Sequence, residues 1–222
     1  MNFDFTPVLA DWSALMQGAS VTVEVTVCAL VLSCCLGLLI GIGRLNPERR
    51  FVYRCCSVYL SCFRGTPLLV QLFIWFFGLP RFGILLPAFV CGVLGLGMYS
   101  ASYVSEVVRG AIQSVDRGQR EAARSLGMSG RQAMMKIILP QAFVRMIPPL
   151  GNEFIALIKN SALVSLVTIH DLMHEGQKII SVSYRSLETY LVIALIYWIL
   201  TSVTTLVLRR VELRLQAGGM VQ

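Results

Sequence analysis

Apolar residues run in long blocks along this chain, and the blocks are separated by short clusters of charge, glycine and proline. A helix needs about 18 or more predominantly apolar residues to cross the hydrocarbon core of a bilayer. Five segments reach that length, at residues 21–43, 57–79, 84–108, 137–167 and 190–208. Pro80 and Gly83 mark a tight turn between the second and third segments. Residues 170–188 are polar, with Leu172, Met173, Ile179 and Ile180 spaced for a short surface helix, and residues 1–17 suit an interfacial lead-in. The pattern predicts an all-α membrane protein of five transmembrane helices, forming a single membrane domain over residues 1–222.

Composition agrees, since 56% of the 222 residues are hydrophobic and 14% are charged, against roughly a quarter charged in soluble domains. The net charge of +7 changes the picture only through its distribution. Arg44, Arg49, Arg50 and Arg54 follow the first segment; Arg109, Arg117, Arg120, Arg124, Arg131 and Lys136 follow the third; Arg209, Arg210 and Arg214 follow the fifth. The opposite loops hold Arg81, Lys178 and Arg185. Positive charge concentrates in cytoplasmic loops, so the amino terminus is expected outside and the carboxyl terminus in the cytoplasm. The charge reads as a topology signal and not as a nucleic-acid surface. Residues 1–11 lack a basic n-region, so the first segment is expected to stay in the mature protein. Seven cysteines, Cys28, Cys34, Cys35, Cys55, Cys56, Cys62 and Cys91, show no metal-ligand spacing and are read as small packing residues.

Polar groups inside the apolar segments carry the candidate chemistry, because an ionisable side chain at membrane depth is costly and needs a partner or a cavity. The second segment contains Arg64, Gly65, Thr66, Pro67 and Gln71. Arg64 reads equally well as a snorkelling interfacial cation, whereas Gln71 lies deeper and is the better ligand candidate. In the third, Tyr99, Ser102 and Glu106 share a helical face. Glu106 and Arg109 are spaced for an intrahelical ion pair, which leaves Tyr99 and Ser102 as passage-lining candidates. Pro140, Pro148 and Pro149 predict a discontinuous fourth span. Beyond them, Asn152 and Lys159 share one face, and Glu153 and Asn160 another displaced by about 100°. Glu153 and Asn152 are substrate-path candidates. The other reading has Glu153 or Lys159 holding spans or subunits together through a buried pair.

Between the third and fourth segments, residues 116–136 form a charged, helix-prone island. Glu121, Ala122 and Ala123, then Gly127, then Ile137, Leu139 and Pro140, match the spacing E-A-A-x3-G-x9-I-x-L-P. This resembles the permease subunit of an ABC importer. Residues 63–73, Phe-Arg-Gly-Thr-Pro-Leu-Leu-Val-Gln-Leu-Phe, resemble a phrase of polar amino-acid permeases, of the kind that carries histidine, arginine, glutamine or cystine. The resemblance covers roughly residues 18–210. Ala162 departs from it, standing where such permeases often have Ser or Thr.

The resemblance implies a type I importer permease in a bacterial cytoplasmic membrane. Its partners would be a second permease subunit, identical or paralogous, a cytoplasmic ATPase dimer carrying ATP and Mg, and a periplasmic or lipid-anchored amino-acid-binding protein. Glu121, Ala122, Ala123 and Gly127 would couple it to the ATPase, with the two small alanines admitting the partner's backbone and Gly127 allowing the turn. The chain has no G-x-x-x-x-G-K-[ST] loop, so ATP hydrolysis is expected on the partner and no cofactor on this chain. Two other classes compete. An ion-coupled secondary transporter of a small polar solute would use the intramembrane charges, but no internal repeat is visible. An intramembrane enzyme finds no nucleophile and base. His170 and His174 have the i, i+4 spacing of a ligand pair, but no glutamate follows the first histidine as a zinc protease requires, so no metal site is expected.

Overall fold

The computed structural model describes residues 3–217, so the extreme ends of the expected domain, including Gln222, lie outside the described residues. Ten α-helices are described: α1 Thr6–Ala10, α2 Trp12–Gly43, α3 Arg50–Gly65, α4 Leu68–Phe73, α5 Ala88–Ser114, α6 Arg117–Ser125, α7 Gly130–Ala133, α8 Leu139–Asn160, α9 Leu172–Ser183 and α10 Ser186–Ala217. Three junctions are finished by other helical turns. A π-turn at Ile74–Gly78 and a 3₁₀ turn at Leu79–Phe82 follow α4, a π-turn at Met134–Ile138 precedes α8, and a 3₁₀ segment at Ser161–Val167 extends it.

Four helical stretches are long and apolar enough to span a membrane: Trp12–Gly43, Ala88–Ser114, Gly130–Val167 and Ser186–Arg214. The pair Arg50–Gly65 and Leu68–Phe82 makes the fifth, bent by 105° at the break. The bend has a local cause. Pro67 lacks an N–H and forces the preceding Thr66 out of the helical region, to φ −119° and ψ 144°.

Two sequence expectations change. The first span begins at Trp12 and not at residue 21, because Leu15, Gly18 and Ala19 are buried against α9 and the expected lead-in is absorbed into the helix. The fourth span is not broken at its prolines. Pro148 and Pro149 lie inside a continuous α8, since proline's fixed φ is itself helical. The irregular turns fall at its two ends instead.

Lipid supplies no hydrophobic drive for one helix to leave hydrocarbon for another, so close approach of small residues organises the bundle. A Cβ on Gly37 would sit 2.5 Å from Val104, one on Gly41 2.7 Å from the Ser105 carbonyl, and one on Gly97 2.7 Å from Leu32. Contacts that advance together in number mean that α2 and α5 run parallel. Against α5, α8 runs antiparallel, with Arg145 at Ser114, Glu153 at Ser100 and Val164 at Gly92. One core fills this junction around Leu72, Leu96, Leu157 and Val164. The cysteine reading holds for Cys91, which is buried; Cys28, Cys35, Cys55 and Cys62 are exposed on helix surfaces.

Candidate functional site

Arg64 ends α3 where the chain breaks, and its side chain turns back onto α5. Its Nη2 donates to the Ser102 carbonyl at 2.8 Å, and its Cζ lies 4.8 Å from the centre of the Tyr103 ring. The Tyr103 and Tyr99 hydroxyls are 3.0 Å apart. One residue beyond Tyr99, the Ser100 hydroxyl donates to Glu153 Oε1 at 2.8 Å, which brings the carboxylate in from α8. Arg64 is within electrostatic reach of both Tyr99 and Glu153. A guanidinium and a carboxylate thus flank a tyrosine pair along about one turn of α5. Glu153 remains half-buried, while Ser100 is fully buried.

The other candidates are placed differently. Asn152 and Lys159 are exposed on the face of α8 turned from this patch, and Asn152 lines a groove beside α10 with Thr205 and Leu208. Ser102 has no exposed surface; its hydroxyl bonds the Tyr99 carbonyl at 2.7 Å, so it lines no passage in this conformation. Gln71 is also turned inward. Its Nε2 donates to Phe63 O at 2.9 Å and to Thr66 Oγ1 at 2.8 Å, with Thr66 O at 3.2 Å beside them. In an unbroken helix Phe63 O would accept from the N–H of residue 67, which is proline. Gln71 supplies the missing donor, while its Oε1 is buried without a partner among the described residues. The expected Glu106–Arg109 pair forms at 2.5 Å, and Arg44 joins it from the end of α2.

At the end of the bundle where α2 and α5 finish, α6 stands on the surface. Asp116 caps it, accepting from Gly118 N at 2.6 Å. Its C-terminus closes with Gly127 N donating to Arg124 O at 3.0 Å and Met128 N to Ala123 O at 3.1 Å, the two bonds of a Schellman motif. Gly127 takes the left-handed position at φ +81°. Ser129 and Gln132 then form a reciprocal capping box that starts α7. Glu121 and Ala122 are exposed, but Ala123 is turned inward and buried. Between α6 and the span ends lies a cavity of about 610 Å³, walled by Arg117, Arg120 and Glu121 on one side and Ile112, Met134 and Ile138 on the other.

The opposite end is closed by α9. Asp171 caps it, accepting from His174 N at 3.0 Å, and Leu172 N donates to Thr22 Oγ1 on α2 at 3.1 Å. A Cβ on Gly18 would lie 2.8 Å from the Asp171 carbonyl, so only glycine admits this turn. Burial pushes the Asp171 carboxyl up to about 6, and its Oδ2 has no hydrogen-bond partner among the described residues.

Ser100 and Tyr103 are the members of the central patch that the sequence pattern does not single out, and Arg64 is the one it leaves with two readings. Ser100 carries no charge to mark it, and Arg64 read equally well as interfacial. The spacing of Tyr99 and Tyr103, i and i+4 on one face, was the available signal.

Known proteins resemble the chain throughout. The model of a family described as "Binding-protein-dependent transport system inner membrane component" matches residues 33–217. The arginine transport system permease protein ArtQ of Bacillus subtilis is 34% identical over 219 residues, covering 98% of this chain and 100% of the relative. The L-cystine transport system permease protein TcyB of the same organism is 39% identical over 210 residues, 92% and 87% of the two chains. For the glutamine transport system permease protein GlnP of Escherichia coli the identity is 34% over 218 residues, 97% and 99% of the two chains. Among solved structures, an amino acid ABC transporter crystallised with histidines superposes with a TM-score of 0.90 at 40% identity, over 96% of this chain and 100% of that one. The inward-facing MetNI methionine ABC transporter shares the fold, with a TM-score of 0.77 at 20% identity over 92% and 97%.

Proposed function

Because the chain belongs to the family of binding-protein-dependent transport system inner membrane components, and is therefore a permease subunit of an ABC importer in the bacterial cytoplasmic membrane, we propose that it passes a polar amino acid between Arg64 and Glu153. The observation that carries this reading is the pairing of opposite charges across Tyr99 and Tyr103. A zwitterion carries a carboxylate and an ammonium a few bonds apart, and Arg64 and Glu153 offer a complement to each. The relatives named for arginine, cystine and glutamine support the substrate class. A cationic side chain gains further from Glu153.

ATP is hydrolysed on a separate subunit, and family membership implies an ATPase and a substrate-binding partner. In the finer reading, two permease subunits, identical or paralogous, sit over an ATPase dimer that holds ATP and Mg. A periplasmic or lipid-anchored amino-acid-binding protein delivers substrate at the α9 end. Glu121, Ala122 and Gly127 present α6 to the ATPase, and Ala123 anchors α6 to this chain. That places α6 and the carboxyl terminus in the cytoplasm and the amino terminus outside. Relatives and matching structures are ABC permeases, and none supports the ion-coupled alternative.

The test is initial uptake by the reconstituted complex, with one binding protein held constant across substrates. Glu153→Gln keeps the hydrogen bond to Ser100 and deletes the charge. It should leave assembly and ATP-dependent coupling intact and lower uptake, most for a cationic amino acid. Unchanged uptake and selectivity, or loss of the assembled complex, would assign Glu153 to helix packing.

A further inference from the structure

The end of the bundle that carries α9 holds a group of polar side chains apart from the Arg64–Glu153 patch. His170 stands one residue before the Asp171 cap of α9, and His174 and Glu175 occupy the third and fourth positions of the helix. A capped helix folds the residue before its cap back over the fourth position, where an apolar pair often meets as a staple. Here the pair is His170 and Glu175, with Nδ1 and Oε1 2.9 Å apart. His174 lies alongside, its ring centre 4.4 Å from that of His170. One ligand atom from each of the three falls within 4.8 Å of the others.

We propose that His170, His174 and Glu175 form a binding site for a divalent transition-metal ion of the zinc, cobalt or nickel class. Two imidazoles and one carboxylate are the donor set such ions take, and three protein ligands leave a fourth position for water. Bonds of about 2.0–2.2 Å set tetrahedral ligand separations near 3.3 Å. His170, whose side chain is 65% exposed, has room to exchange its bond to Glu175 for one to the ion. The other two ligands are already held. Glu175 is buried to 9% side-chain exposure, and its Oε2 is bound by Lys178 at 2.7 Å, which leaves Oε1 for the ion. His174 Nδ1 faces the Ser165 carbonyl at 3.4 Å. A proton held there leaves Nε2 as the lone-pair donor, the arrangement usual for metal-bound histidine. Helix α9 is itself pinned by Leu172 and Ile179 in the core, so two ligands sit on a rigid element and the third closes over the ion.

The site differs from a zincin pair because its carboxylate follows the second histidine directly. Lys178 places one positive charge beside the ion and weakens binding. Removing it as Lys178→Gln should tighten binding roughly three- to tenfold.

The experiment uses the full chain in detergent, with any affinity tag removed and residual metal stripped with chelator. Zinc sulfate is titrated calorimetrically, and cobalt(II) is followed by its visible spectrum. The expected result is one zinc per chain, with His170→Ala and His174→Ala each weakening binding at least tenfold. Cobalt should give ligand-field bands of tetrahedral intensity and no thiolate charge-transfer band. His170 is largely exposed, so its variant folds, and circular dichroism checks this directly. Absence of stoichiometric binding in the parent overturns the proposal, as does binding that persists unchanged in the double histidine variant. A thiolate band would move the ion to the cysteines and equally overturn it. None of these readouts depends on transport, so failure here leaves the permease function untouched.

Discussion

Gly127 sits at φ +81° with no heavy atom within 4 Å of the place a Cβ would occupy, so a side chain there meets backbone strain and no clash. The left-handed conformation costs a non-glycine residue about 1–2 kcal/mol, with asparagine the best tolerated exception. Alanine at the low end and β-branched valine at the high end reduce the native turn against competing turns by roughly 5-fold and 30-fold. What is lost is the Schellman closure between Ala123 and Met128, which sets the direction in which the chain leaves α6. The bundle does not depend on it, so insertion and folding should survive. In proteoliposomes holding the variant, its ATPase and its binding protein, uptake per ATP hydrolysed should fall in the order Gly, Asn, Ala, Val. The asparagine variant decides the matter, because it is larger than alanine yet better suited to the left-handed region. If Gly127→Val transports at the parent level with ATPase bound normally, the turn has no part in coupling. An order that follows side-chain volume, with Asn worse than Ala, would refute the conformational argument and point to a contact with the partner.

Two further outcomes are expected. In a cysteine-free background, a membrane-impermeant thiol reagent added from outside should label a Cys at Ser181, which is exposed near the end of α9, and not one at exposed Ser129 beside α6; the reverse pattern would invert the topology. Gln71→Leu leaves the Phe63 carbonyl without its donor, at a cost of about 1–3 kcal/mol, so the midpoint of thermal unfolding in detergent should drop while each assembled complex still transports. Undiminished stability with lost transport would return Gln71 to the substrate path.

The sequence carried local relations well and relations between helices poorly, and the difference is physical. Gly127 and the Glu106–Arg109 pair depend on residues within one or two turns, so spacing alone reveals them. The face shared by Tyr99 and Ser102 was also legible, yet helical spacing does not say which face meets another helix; Ser102 fell on the buried side and Tyr99 beside Arg64. The same ambiguity turned Ala123 inward and left Ala122 outside. Membrane depth was an incomplete guide to Gln71, because Pro67 had already created a need for a donor four residues upstream of it. The prolines of α8 misled in the opposite sense, since a missing N–H need not bend a helix whose neighbours hold it, and α5 and α10 pack along its length on either side. A polar residue at membrane depth therefore has to be counted first against the backbone groups that a nearby proline strands. Glu153 passes that count: its bond is to a side chain of another helix, and no unfilled backbone group of its own helix accounts for its charge.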